Sequence, residues 1–199
     1  MPNTVVLPDF SPTFAFPAQL VASAQAVAWH LGPDGARRPV VCFAVRLDGE
    51  SLFIPERVYY APGALVAATQ AGGNLGLIAL CLGTRHHDGF VREHCLRQLL
   101  DAHEAWIVPF VVRLAGEYVA QIVALIEERL PSLDAVRYGK FLRENPGFLA
   151  TTERRVVSYW YAYQHAGYRQ RGAEPGSRVV AAFRRMAAAD VTIGELAGT

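Results

Sequence analysis

Apolar residues recur at intervals of three and four through most of this chain, and at intervals of two in only one short region. Leu20, Val21, Ala24, Val27, Ala28 and Leu31 line one side of a helix expected from Pro17 to His30, with Pro17 suited to a first helical position and Gly32 to a stop. After Pro33-Asp34-Gly35, the segments Val40 to Leu47 and Glu50 to Ile54 are rich in strand-favouring residues and are separated by Asp48-Gly49. That dipeptide between two strand-like runs predicts a hairpin, because both central residues of a type I′ turn need positive φ. Two strands alone are marginal in water. The hairpin must therefore rest on helices or recruit a third strand, for which Arg57 to Tyr60 is the candidate. The first fifteen residues, broken by Pro2, Pro8 and Pro12, read as an extended arm held to the body by Phe10, Phe14 and Phe16.

Beyond Pro62 the pattern is helix after helix: a short apolar segment from Leu75 to Leu82, then Gly89 to Ala102, Ala105 to Leu114, Glu117 to Leu130, Ala135 to Glu144, Thr152 to Gln164 and Arg178 to Ala189. Gly72-Gly73-Asn74 reads as a linker, and Thr151 and Ser177 as N-caps of the last two helices. The stretch from Ala105 to Leu114 is apolar on almost every side, which predicts a helix enclosed by neighbours, with Pro109 in its first turn or bending it. The fold class expected is mainly α: an irregular array of antiparallel helical hairpins from residue 61 onward, preceded by a small N-terminal helix and β-hairpin in residues 1–60. The two parts are expected to form one compact domain.

The segment from Arg85 to Leu100, RHHDGFVREHCLRQLL, joins a polar turn to a helix whose Val91, Cys95, Leu96, Leu99 and Leu100 share a face, and Phe90-Val91 aligns with Tyr118-Val119 at an offset of 28. With Asp88 at the turn, Arg92 one helical turn later and an apolar helix following, this arrangement resembles the second half of a HEAT-type repeat. Ile54 to Tyr163 likewise resembles uncharacterised bacterial proteins with HEAT-like segments, to which no activity is attached. The resemblance implies that Asp88 and Arg92 form a ladder between neighbouring repeats. The aligned second unit carries Gly116 and Ala120 at the corresponding positions.

Composition narrows the function. Hydrophobic residues make up 52% of the 199 positions, yet no run of about 18 apolar residues occurs, so no membrane span is expected. MPNTVVLPDF has no basic start leading into an apolar core, and Cys42, Cys81 and Cys95 form an odd set without CxxC spacing, so a cytoplasmic protein with packed rather than reactive thiols is expected. One lysine against eighteen arginines reads as the imprint of a GC-rich, bacterial genome. Residues 137–185 carry ten basic against three acidic residues, a net +7, whereas residues 1–136 carry nine against thirteen, a net −4. Such a split marks either a site for an acidic partner or a solvated helical face.

Two constellations hold the candidate chemistry. His86, His87, His94 and His103 lie near Asp88, Glu93, Asp101 and Glu104, and an enzymatic or metal site around His86, His87 and Asp88 is one alternative. The spacing argues against it. His94 and His103, nine apart, fall on opposite sides of a continuous helix. Neither a P-loop nor GxGxxG nor GxSxG occurs, so neither cofactor nor metal nor catalytic residue is assigned. The second constellation runs from Glu153 to Arg171, where arginines alternate with Tyr159, Trp160, Tyr161, Tyr163 and Tyr168. With Val156, Trp160 and Tyr163 expected to point inward, Arg154, Arg155, Tyr161, Arg169 and Arg171 remain to meet a partner. Tyrosine and arginine are enriched at protein interfaces and also grip nucleic acid. The function expected is a non-enzymatic scaffold or adaptor for a protein or peptide partner. The alternative is a nucleic-acid-binding protein using residues 153–185.

Overall fold

The computed structural model describes residues 4–32, 40–164 and 174–189 of the chain. It is mainly helical, with one small antiparallel sheet, and divides into two compact units, residues 1–102 and 103–199. The division expected at residue 60 falls inside the first unit, because the N-terminal helix packs directly on the two helices that follow the hairpin.

In the first unit, β2 (Val40–Leu47) and β3 (Glu50–Pro55) form the expected hairpin, with Asp48 at φ +52° and Gly49 at φ +85° as the type I′ turn requires. The third strand is not Arg57 to Tyr60. It is β1 (Thr4–Leu7), from the arm, which runs antiparallel to β2 with Val5 opposite Cys42 and Leu7 opposite Val40. Val5 and Val6 are β-branched and sit between the prolines, so a strand of four residues fits where a longer one would not. Phe10 is buried in a cluster with Val40 and Cys42, against which Leu7 and Phe53 pack, and Phe16 is buried as well, while Phe14 stays 45% exposed. The arm is thus part of the core.

Helix α1 (Val21–Leu31) buries Ala24, Val27 and Leu31 and ends at Gly32. It packs against α2 (Pro62–Thr69) and α3 (Gly73–Gly83), and α3 packs in turn against α4 (Gly89–Leu99). Consecutive neighbours therefore stack from α2 to α4. Gly72-Gly73 is a helix start rather than a linker, both glycines having positive φ. The α3–α4 crossing is close: a Cβ on Gly83 would strike the Cys95 side chain.

In the second unit, every residue of α5 (Val108–Leu114) is buried and Pro109 lies in its first turn. Helix α6 (Ala120–Arg129) starts three residues later than Glu117, and α7 (Ala135–Glu144) has the predicted bounds, with Asp134 accepting the Arg137 amide at 3.0 Å. Helix α8 (Pro146–Tyr159) begins at Pro146 rather than Thr152, and α9 (Pro175–Ala188) at Pro175 rather than Arg178. Thr151 and Ser177 are therefore inside helices and cap neither; Thr151 donates to the Gly147 carbonyl. Helix α9 packs on α6, α7 and α8 together. No helix among the described residues is long and apolar enough to cross a membrane.

Candidate functional site

The turn between α3 and α4 carries a close set of polar side chains, and almost all of them hold backbone. Thr84 ends α3 by donating to the Cys81 carbonyl at 2.6 Å. Arg85 is fully buried; it donates to the carbonyls of Pro55 at 3.1 Å and Glu56 at 2.8 Å, and its guanidinium lies 5.5 Å from the centre of the Phe43 ring. The Glu56 carboxylate 3.8 Å away offsets its charge. A parallel bridge then joins this turn to the segment after β3: Val58 donates to the Arg85 carbonyl and the His87 amide to the Val58 carbonyl. Arg57 to Tyr60, expected as a third strand, is therefore paired with the turn rather than with the sheet.

His86 is fully buried at the centre of this lattice. Its Nε2 lies 2.9 Å from the Tyr60 carbonyl, which only accepts, so Nε2 carries the proton; its Nδ1 then accepts the Asp88 amide at 3.1 Å. Burial lowers the His86 pKa from its ordinary 6.5, as do the neighbouring His87 and Arg92, against the opposing pull of the Tyr60 carbonyl and Asp88. Both ring nitrogens are thus engaged by the protein itself. The Asp88 carboxylate caps α4 by accepting the Phe90 amide at 2.8 Å, and the fully buried Arg92 donates to the carbonyls of His86 and His87, each at 2.9 Å. These contacts of Asp88 and Arg92, the expected ladder residues, lie within their own turn and helix.

His87 differs. It is exposed, stacked on Tyr59 with ring centres 5.1 Å apart, and tilted against His86 at 4.3 Å. Phe90, three positions on, is 85% exposed, and Tyr59 37%. The turn therefore presents rings to solvent on a backbone that buried arginines and a buried histidine hold in place. The other two histidines of the cluster are elsewhere: His94 is exposed on α4 beside Gln98, and His103 belongs to the second unit. Among the described residues no group of three His, Cys, Asp or Glu side chains is arranged to hold a metal ion.

In the second unit, Arg154 is exposed and donates to Thr151, Arg155 is half-buried with its Cβ against Gly116, and Tyr161 is 59% exposed with its ring edge-on to Trp160. Arg169, Arg171, Tyr168 and the Tyr163 side chain lie outside the described residues. The chain from Trp160 to Gln164 forms a π-helical turn that continues α8. Part of the basic excess is spent inside this unit: Arg178 and Arg184 of α9 reach across to Glu127 of α6 at 3.0 Å and Glu153 of α8 at 2.7 Å.

Arg113, Glu117 and Glu174 are buried charged residues outside both expected constellations. Glu117 and Tyr159 border a small cleft with Val123, Val156 and Pro175, and Glu174, at the start of α9, accepts a hydrogen bond from Ser177. Arg113 and Glu117 sit at the end of the apolar run VVRLAGE, where interruption of the pattern by two charges four apart was the available signal. Comparison of the chain with protein-family models, curated proteins and solved structures finds no match.

Proposed function

We propose that this chain is a non-enzymatic scaffold, built on HEAT-like helical hairpins, that binds a protein or peptide through the exposed rings at the α3–α4 turn. One observation carries the reading: the groups at that turn with chemical potential are consumed in holding backbone, while Tyr59, His87 and Phe90 face outward. A general base needs a ring nitrogen open to substrate, and both nitrogens of His86 are occupied. Exposed aromatic rings on a rigid backbone suit binding instead, because they bury large apolar area while losing few rotamers. The partner that fits is a polypeptide segment offering aliphatic or proline side chains to flat rings. The α2–α3–α4 succession, with each helix against the next, supports the hairpin reading in this unit.

The nucleic-acid reading keeps one observation in its favour, the exposure of Arg154 and Tyr161 about two helical turns apart in the second unit. Affinity capture from the native host, run at low and moderate salt, separates the two. The scaffold reading expects capture that survives moderate salt and is lost in Phe90→Ala with Tyr59→Ala. Capture that collapses with salt and depends on Arg154 and Tyr161 would replace it with nucleic-acid binding.

A further inference from the structure

We propose that His86 is a proton-operated latch: uptake of one proton opens the α3–α4 turn and dismantles the ring surface it carries. The geometry leaves no room for a second proton. Nδ1 already receives the Asp88 amide hydrogen, so a proton on Nδ1 would set two N–H groups against each other at a contact of 3.1 Å. Nε2 is committed to Tyr60, so the ring cannot turn to accommodate the change without breaking that bond as well. What depends on this contact lies next to it in the chain. Asp88 caps α4, His87 is bridged to Val58 through its amide, and Arg92 draws the carbonyls of His86 and His87 together.

The charged and titratable groups around the ring strengthen the latch. From α4 comes the Arg92 guanidinium, and from the turn come the His87 ring and, on the opposing side, the Asp88 carboxylate. The segment after β3 contributes the Tyr60 carbonyl, the uncharged Tyr60 phenol, whose pKa burial raises to about 12, and the Tyr59 ring that stacks on His87. Arg85 precedes the ring in the chain and is balanced by Glu56. Burial, to which His87 and Arg92 add, outweighs Asp88 and Tyr60, so the closed turn binds a proton less readily than the open one. The sign follows: the closed state is fully favoured above the ordinary histidine value of 6.5, and is lost progressively as pH falls from there toward the depressed folded value. In that window the opening constant rises by up to about tenfold per pH unit. The latch concerns the turn itself and stands apart from what the rings bind.

Amide hydrogen exchange on the full chain from pH 7.5 to 5.0, corrected for intrinsic exchange, tests it. Protection at Val58, His87, Asp88 and Phe90 is expected to fall below pH 6.5, by up to about tenfold per unit, while residues 78–82 of α3 hold theirs. In His86→Asn, whose side-chain oxygen still accepts the Asp88 amide, the pH response is expected to vanish; in His87→Asn it is expected to persist. Protection that stays flat in the unaltered chain overturns the proposal, as does a response retained in His86→Asn or abolished in His87→Asn. Should His86→Asn fail to fold, the unaltered chain and His87→Asn still decide. A flat profile leaves the capture experiment on the rings unaffected.

Discussion

Gly139 of α7 lies so close to the main-chain carbonyl of Met186 on α9 that a Cβ on the glycine would overlap the carbonyl oxygen. The contact is backbone to backbone, so no side chain can swing aside to relieve it. It is also where Tyr138 stacks on Phe183, with ring centres 5.8 Å apart. A small residue in α7 is therefore what lets α9 settle between α6, α7 and α8.

Gly139→Ala is expected to destabilise the chain by roughly 1–3 kcal/mol, the cost of overpacking, despite a gain of up to about 1 kcal/mol in helix propensity. Gly63 of α2 is the control, because nothing lies within 4 Å of a Cβ built there. Gly63→Ala should stabilise by roughly 0.5 kcal/mol. Urea denaturation followed by circular dichroism reads both, and equal small effects would mean that the α7–α9 contact yields more easily than its geometry implies.

Arg92 and Arg178 separate buried from exposed charge. Arg92 is fully buried and donates to two carbonyls, whereas Arg178 pairs with Glu127 at the surface of the second unit. Arg92→Ala leaves the His86 and His87 carbonyls without that donor and is expected to cost about 2–4 kcal/mol. Arg178→Ala should cost under about 1 kcal/mol and lose even that at high salt. Denaturation midpoints at low and high salt distinguish them, and a negligible cost for Arg92→Ala would remove this residue from the set that holds the turn.

The ease with which these elements were read follows how local their causes are. The β2–β3 hairpin depends on two adjacent residues with positive φ, and α7 on a cap and a stripe within one dozen positions, so both were legible. The N-terminal strand was not, because pairing of Val5 with Cys42 depends on residues far apart in sequence, and nearby prolines masked it. The helices expected from Thr152 and Arg178 begin earlier, at Pro146 and Pro175, because each opens with proline in its first turn, where the missing N–H costs nothing. At the site, Asp88 is expected as a ladder residue from the resemblance, whereas its carboxylate caps α4. The burial of His86 was not legible, since it is created by Tyr60 and Val58 from another part of the chain.

The thiols give a third prediction. Cys42, Cys81 and Cys95 are buried and not disulfide-bonded, and burial pushes Cys42 and Cys95 up to about 12, with Glu56 adding to the rise at Cys42. A thiol shifted that far stays protonated at pH 8, where an ordinary one is already partly thiolate. The native chain is expected to resist a thiol-specific reagent at pH 8, and all three cysteines to react once it is unfolded in urea. Rapid labelling of a single cysteine in the native state would reveal a local opening at that position.

The hairpin turn offers the most local test. Asp48 and Gly49 both have positive φ, +52° and +85°, and a Cβ on Gly49 meets nothing within 4 Å, so any cost of a side chain there is conformational rather than steric contact with neighbours. Gly49→Ala is expected to destabilise the chain by about 1–2 kcal/mol, the penalty of left-handed backbone for a residue with a Cβ. Asp48→Asn should be neutral or slightly stabilising, since asparagine enters that conformation readily. Because β3 contacts the 3₁₀ turn at Pro12–Ala15, and Glu50 accepts the Ala18 amide at 2.8 Å, loosening the turn should also weaken the docking of the N-terminal arm. Faster amide exchange at Ala18 in Gly49→Ala, with exchange in α7 unchanged, is the result expected; an unchanged Ala18 would mean that the docking of the arm does not depend on the hairpin turn.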